Sequence, residues 1–265
     1  MKKIAFCFLC KDRLKNMSLW KKFFTGHEDK FNIYFHFSEK NITAHKGFFN
    51  RKIVPYQETS WGDINRAIFS LYKRAFNDDN FKYILLSESC IPVKNFLFTY
   101  ESLTTDDKSF FCFQSHKPST EWEKATLIQN LQRYIHNAKK SKNFMYKISV
   151  EDWFYSETWN ILNKEHVNLI LNNFYLIEEF KSMKCFAYDE NILGYLLSIN
   201  NKLDDVKNIK TTFVNWKKAV VDKVGRHPYT YQKLDDFKVD DFEDFLFARK
   251  FNDIKGLEDK ILLLK

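Results

Sequence analysis

A chain of 265 residues with 45% hydrophobic and 29% charged content can build one large folded unit or two small ones, and is too rich in apolar residues for disorder. Its 42 Lys and Arg against 34 Asp and Glu leave a formal charge of +8, which points to an anionic partner: nucleic acid, a phosphate-bearing small molecule or an acidic surface. Only 6 Gly occur, no two of them at a GxG spacing, which excludes a dinucleotide fingerprint and a phosphate-binding P-loop.

In chain order, Ile4 to Cys10, Phe31 to Phe37 and Arg51 to Tyr56 have the β-branched and aromatic content of short strands, with an amphipathic helix from Lys15 to Phe24 between the first two. The opening segment carries two Lys and then seven apolar residues before charge returns, too short to span a membrane and without a small-residue cleavage site, so a buried first strand is expected. Ser60 to Phe76 predicts a helix with Ile64, Ala67, Ile68, Leu71 and Ala75 on one face and Ser60 or Asp63 as N-cap. A strand over Tyr83 to Leu86 runs into Ser87-Glu88-Ser89-Cys90-Ile91-Pro92, and a further strand is expected over Ser109 to Gln114.

The Lys-rich stretch from His116 to Asn143 is expected as an exposed excursion, a lid or acceptor loop. Trp153 to Leu162 predicts a strand, Lys164 to Asn172 a helix, and Glu190 to Ile199 another helix opened by Tyr188 or Asp189. Strands alternating with helices imply an α/β fold, a mostly parallel sheet flanked by helices with sites at strand C-termini. With no linker or internal repeat, one domain over residues 1–265 is expected. The 28 Phe exceed what packing alone demands and are assigned in part to AT-rich coding.

Several chemistries lack their residues. Cys7 and Cys10 form a CxxC inside a strand, where positions three apart face opposite sides, so both are expected in the core. The five Cys have no framework spacing, as in a reducing compartment, and a cytoplasmic location follows as an expectation. No HExxH or Asp-x-Asp occurs, so no metal site is expected, and no GxSxG, so a serine hydrolase lacks its nucleophile elbow.

Leu85 to Pro92, followed by Asn95-Phe96, resembles the signature of the Core-2/I-branching β-1,6-N-acetylglucosaminyltransferase family in its plant-type form. Ser60-Trp61-Gly62 at a helix start, Trp159-Asn160-Ile161-Leu162-Asn163-Lys164-Glu165-His166, Tyr188-Asp189-Glu190 and Phe247-Ala248-Arg249-Lys250-Phe251 are similar to further family segments in the same order. The resemblance implies a GT-A-like nucleotide-sugar-binding fold, an inverting mechanism, a UDP-sugar donor, a glycan acceptor and no metal or other cofactor. By position it makes Glu190 the catalytic base and Arg226 and Lys250 the ligands of the donor diphosphate, Arg226 lying 24 residues before Lys250.

Ser38, Trp61, Glu88, Ser89, Trp159, Asp189 and His227 are further pocket candidates, with Trp153 and Trp216 as additional stacking surfaces. In the animal enzymes an Asp after the second strand holds uridine; here that stretch reads Phe35-His36-Phe37-Ser38-Glu39, which leaves base and donor sugar open.

The chemistry is consistent with this assignment. Inversion needs one carboxylate to take the acceptor proton, and a helix N-terminus favours charge on Glu190, a feature that also suits a plain helix-start carboxylate. A leaving diphosphate needs fixed cations where no metal serves. The expected reaction is transfer of N-acetylglucosamine, with xylose or another sugar as the alternative, from UDP to a carbohydrate hydroxyl. Two rivals stand beside it: a nucleic-acid-binding protein, which should carry its Lys in one stripe, and a catalytically inactive glycan-binding relative.

Overall fold

The computed structural model describes residues 1–39, 49–115, 154–182, 188–222 and 226–261. The strands are β1 (Ile4–Cys10), β2 (Phe31–Phe37), β3 (Arg51–Ile53), β4 (Lys82–Ser87), β5 (Ile91–Pro92), β6 (Ser109–Phe110) and β7 (Phe113–Ser115) in the first half. In the second half they are β8 (Phe154–Ser156), β9 (Ile161–Asn163), β10 (Val206–Lys207), β11 (Thr212–Val214), β12 (Val220–Val221), β13 (Arg226–His227) and β14 (Phe247–Arg249). The helices are α1 (Met17–Phe24), α2 (Asn65–Phe76), α3 (Phe96–Thr104), α4 (Lys164–Asn172), α5 (Phe174–Ser182), α6 (Ile192–Ile199) and α7 (Leu257–Ile261).

Seven strands form the central sheet in the order β10-β6-β9-β4-β1-β2-β3. Pairs β1/β2, β1/β4, β2/β3 and β6/β10 are parallel, whereas β9 runs antiparallel to both β4 and β6. This is the expected mixed α/β class. A second sheet, β11-β14-β5, lies beyond the carboxyl end of β4, so the chain leaving β4 pairs at once, through β5, with β14.

Period-two alternation decides which side chains meet. Ile4, Phe6, Phe8 and Cys10 pack into one core, Ala5 and Cys7 into the other, so the CxxC is split across the sheet as expected. On the first face the Phe are structural: Phe6 packs edge-on against Phe23, Phe24, Phe31 and Phe247, and Phe8 stacks on Phe35 at 5.1 Å. Ring pairs of this kind add to area burial, so these Phe have a packing role whatever the coding bias.

Four expectations are corrected. The helix expected from Ser60 starts at Asn65, its N-cap is Ile64, and neither Ser60 nor Asp63 caps it: their main chains exchange hydrogen bonds of 3.2 and 3.1 Å in a closed turn. The single strand expected over Ser109 to Gln114 is two strands in different sheets, as is the one over Trp153 to Leu162, whose Trp153 lies outside the described residues. Phe111-Cys112 in the first and residues 157–160 in the second carry the chain between the central sheet and the β7/β8 pair, a change periodicity does not register. The helix expected from Glu190 begins at Ile192, behind a 3-10 turn over Tyr188–Glu190. The excursion at 116–143 lies outside the described residues. Among the described residues no helix is long and apolar enough to cross a membrane.

Candidate active site

The carboxyl ends of β1 and β4, the β7/β8 hairpin, the Tyr188–Glu190 turn and the end of β14 surround one cleft of about 1110 Å³. Parallel strands expose their carboxyl ends together, and loops are free to diverge there, so an α/β sheet places its site at that edge. Trp61, Glu88, Ser89, Trp159, Asp189, Glu190, His227 and Lys250 all line it, as does Trp216. Ser38 does not: it extends β2, its N–H donating to the Cys10 carbonyl at 3.0 Å. The backbone of Arg226 pairs in β13 beside the cleft, and its side chain lies outside the described ones.

Glu190 is half-buried behind the hairpin, and the Ser156 hydroxyl donates to its carbonyl at 3.3 Å. Burial first, then the carboxylates of Asp189 and Glu157, push its carboxyl up to about 7, with Arg249 pulling the other way. The expected help from a helix N-terminus is therefore outweighed by desolvation and like charge. Asp189 faces inward, its Oδ1 buried with no partner among the described residues, and burial raises it to about 6. Behind it lies a small cavity of about 40 Å³ among Ile68, Leu193 and Leu196. Glu157 is ion-paired with Lys210 at 2.7 Å, whereas Asp189 and Glu190 have no ion pair among the described residues.

The opposite wall is cationic. Lys250 follows β14, and burial first, Arg249 second and Lys15 further off hold its ammonium below the ordinary value while Glu88 opposes them. Arg249 lays its guanidinium 4.0 Å over the Trp159 ring, a cation–π contact that occupies one face of an indole otherwise available for stacking. Glu88 is not a solvated turn residue: its carboxylate accepts the Lys11 N–H, and its own N–H and carbonyl tie the end of β4 to Leu9 and Lys15 at 2.9 and 3.0 Å. His227 meets Asp222 at 3.1 Å. Arg249, Lys15, Tyr155 and Glu157 escaped the sequence reading, although Arg249 stood inside the pentapeptide that singled out Lys250.

Among the described residues no group of three or more His, Cys, Asp and Glu converges as a metal site. A carboxylate poised near neutrality on one wall, facing cations on the other, suits proton removal from a hydroxyl beside a departing anion.

A mostly parallel sheet with this cleft at its carboxyl edge is the architecture of a GT-A-like nucleotide-sugar-binding fold. The chain belongs to the Core-2/I-Branching enzyme family, whose pattern it matches over residues 4–245. It is also 26% identical over 188 residues to glycosyltransferase BC10 of Oryza sativa subsp. japonica, an alignment that covers 68% of this chain. The aligned part is 43% of that relative, so the chain spans less than half the length of the curated protein it matches.

Proposed function

We propose that the protein is an inverting, metal-independent glycosyltransferase that moves N-acetylglucosamine, with xylose or another sugar as the alternative, from a UDP-sugar to a carbohydrate hydroxyl. The observation that carries this is the carboxyl of Glu190, raised to about 7 and lining the same cleft as Arg249 and Lys250. In the reaction Glu190 takes the proton of the acceptor hydroxyl, and the acceptor oxygen attacks the anomeric carbon. The bond to the diphosphate breaks on the opposite face, and UDP leaves with the electron pair. Lys250, with Arg226, meets the charge that develops on the leaving group, as preorganised donors do. Trp61 and Trp216, 45% and 38% exposed at the cleft, present indole faces for an acceptor sugar.

The test is UDP release from UDP-N-acetylglucosamine and UDP-xylose over an array of oligosaccharide acceptors. Glu190→Gln is expected to lower kcat by about 100-fold or more with donor binding intact, the usual contribution of a general base. Full activity in that variant would end the reading.

A further inference from the structure

Among the described residues the β12/β13 ribbon pairs only with itself, Val220 opposite His227 and Val221 opposite Arg226. An isolated two-stranded ribbon is marginal in water unless one of its faces is packed. Neighbouring residues of a strand point to opposite faces, so Val220 and Val221 sample both. Val220 is 59% exposed and Val221 74%, so neither face is packed at these positions. Among the described large apolar side chains only that of Met1 is barer than Val221.

The root of the ribbon, by contrast, is firmly tied. Asn215 Oδ1 accepts the Lys218 N–H at 3.3 Å, and Asn215 Nδ2 donates to the Tyr231 hydroxyl at 2.9 Å. The Asn215 carbonyl accepts the Tyr229 N–H at 3.0 Å, so the segments entering and leaving the ribbon are held together. Lys217 and Lys218 lie exposed on this root, the second with its ammonium 5.4 Å from the Tyr229 ring, and neither has an ion pair among the described residues. Two acids close by are already engaged. Asp222 meets His227 at 3.1 Å, and Asp236, within electrostatic reach of Lys218, accepts the N–H groups of Gln232 and Lys233 at 2.7 and 3.1 Å.

The two bare faces select what covers them. A protein partner lies against one face, and stable interfaces bury about 800 Å² on each side, far more than two Val supply. A lipid phase surrounds both faces at once and takes a few apolar side chains beneath a basic rim. We propose that the β12/β13 ribbon docks the protein onto an anionic lipid bilayer, Val220 and Val221 entering the apolar boundary and Lys217 and Lys218 meeting the headgroups. Trp216, His227 and Pro228 at the base of the ribbon also line the cleft, so this docking sets the cleft mouth beside the lipid surface. The inference does not depend on the transferase reading, and no covalent step is involved.

Co-sedimentation of the intact protein with vesicles of phosphatidylcholine alone, and of equimolar phosphatidylcholine and phosphatidylserine, tests it. The parent is expected to pellet with the mixed vesicles and to bind phosphatidylcholine more weakly. Val220→Ser and Val221→Ser should each weaken partition about tenfold with either lipid, the scale of one buried Val. Lys217→Gln with Lys218→Gln should cost about fivefold per Lys on the mixed vesicles and nothing on phosphatidylcholine. All four side chains are exposed, so unchanged melting temperatures are expected and separate lost binding from lost folding. A parent left in the supernatant by both vesicles would overturn the proposal, as would Val variants that bind as the parent does, since net charge alone would then be the attraction. A parent dimer in analytical ultracentrifugation that Val221→Ser dissolves would assign the ribbon to a second copy of the chain and overturn it too. None of these results bears on UDP release, which tests the transferase reading separately.

Discussion

At the scale of single residues, the chemistry of Glu190 is a property of what surrounds it. Its folded carboxyl titrates near 7 against an ordinary 4.5, because burial and two neighbouring acids disfavour its charge. A group raised in this way binds more protons folded than unfolded, so it weakens the fold as pH climbs from 4.5 through 7. Glu190→Gln removes that burden: its Tm should exceed the parent's at pH 8, and the gain should shrink through 7 and disappear below 4.5 when melts are compared across pH. The same environment predicts an acidic limb near pH 7 in the rate profile, where the base becomes protonated. Arg249 illustrates the limit of reading residues singly. Its place beside Lys250 is visible in the chain, but the Trp159 ring that orients it lies 90 positions away in sequence.

At the scale of elements, the position of the base is fixed by two contacts that no local pattern shows. The first is the close approach of α6 to β8 at Gly194, where a Cβ would stand 2.8 Å from Phe154 Cβ and 3.1 Å from its carbonyl oxygen. Side-chain atoms do not tolerate 2.8 Å, so Gly194→Ala must push α6 and the turn carrying Glu190 off the hairpin. A loss of about 1–3 kcal/mol in denaturant unfolding is expected, with a parallel fall in transfer activity. The second contact is Asp63, which accepts the Tyr188 hydroxyl and pairs with Lys181 at 2.8 Å. Asp63 in the sequence suits an N-cap; in the fold it clamps the start of α2 to the turn before Glu190. Cap preference is a local rule, and a partner 125 residues away overrides it.

At the scale of the whole molecule, the placement of the basic residues says more than the net charge of +8. Lys15, Arg249 and Lys250 converge at one end of the sheet, while other basic residues are spent on separate acids, as in Lys52 with Asp78 and Arg66 with Glu178. Convergence in a cleft favours a compact anion over a polymer laid along a stripe, and so argues against the nucleic-acid rival. UDP at 100 times its dissociation constant should add about 2.7 kcal/mol and raise Tm by several degrees, whereas duplex DNA should leave the melt unchanged.

Local information determined a good deal. The strands at Ile4–Cys10 and Phe31–Phe37, the helix at Lys164–Asn172 and the α/β class follow from period and propensity, because each element depends on neighbours within itself. Trp61, Glu88, Trp159, Glu190 and Lys250 were legible for the same reason, as parts of short segments. Only the tertiary structure decided that Ser109 to Gln114 divides between two sheets, that Ser38 stands off the cleft, and that Lys15 and Arg249 meet beside Lys250. Those outcomes depend on strand order and on hydrogen bonds between segments more than 200 residues apart, such as Asn16 with Asn252. Sequence spacing carries no record of such distances until the sheet has closed them.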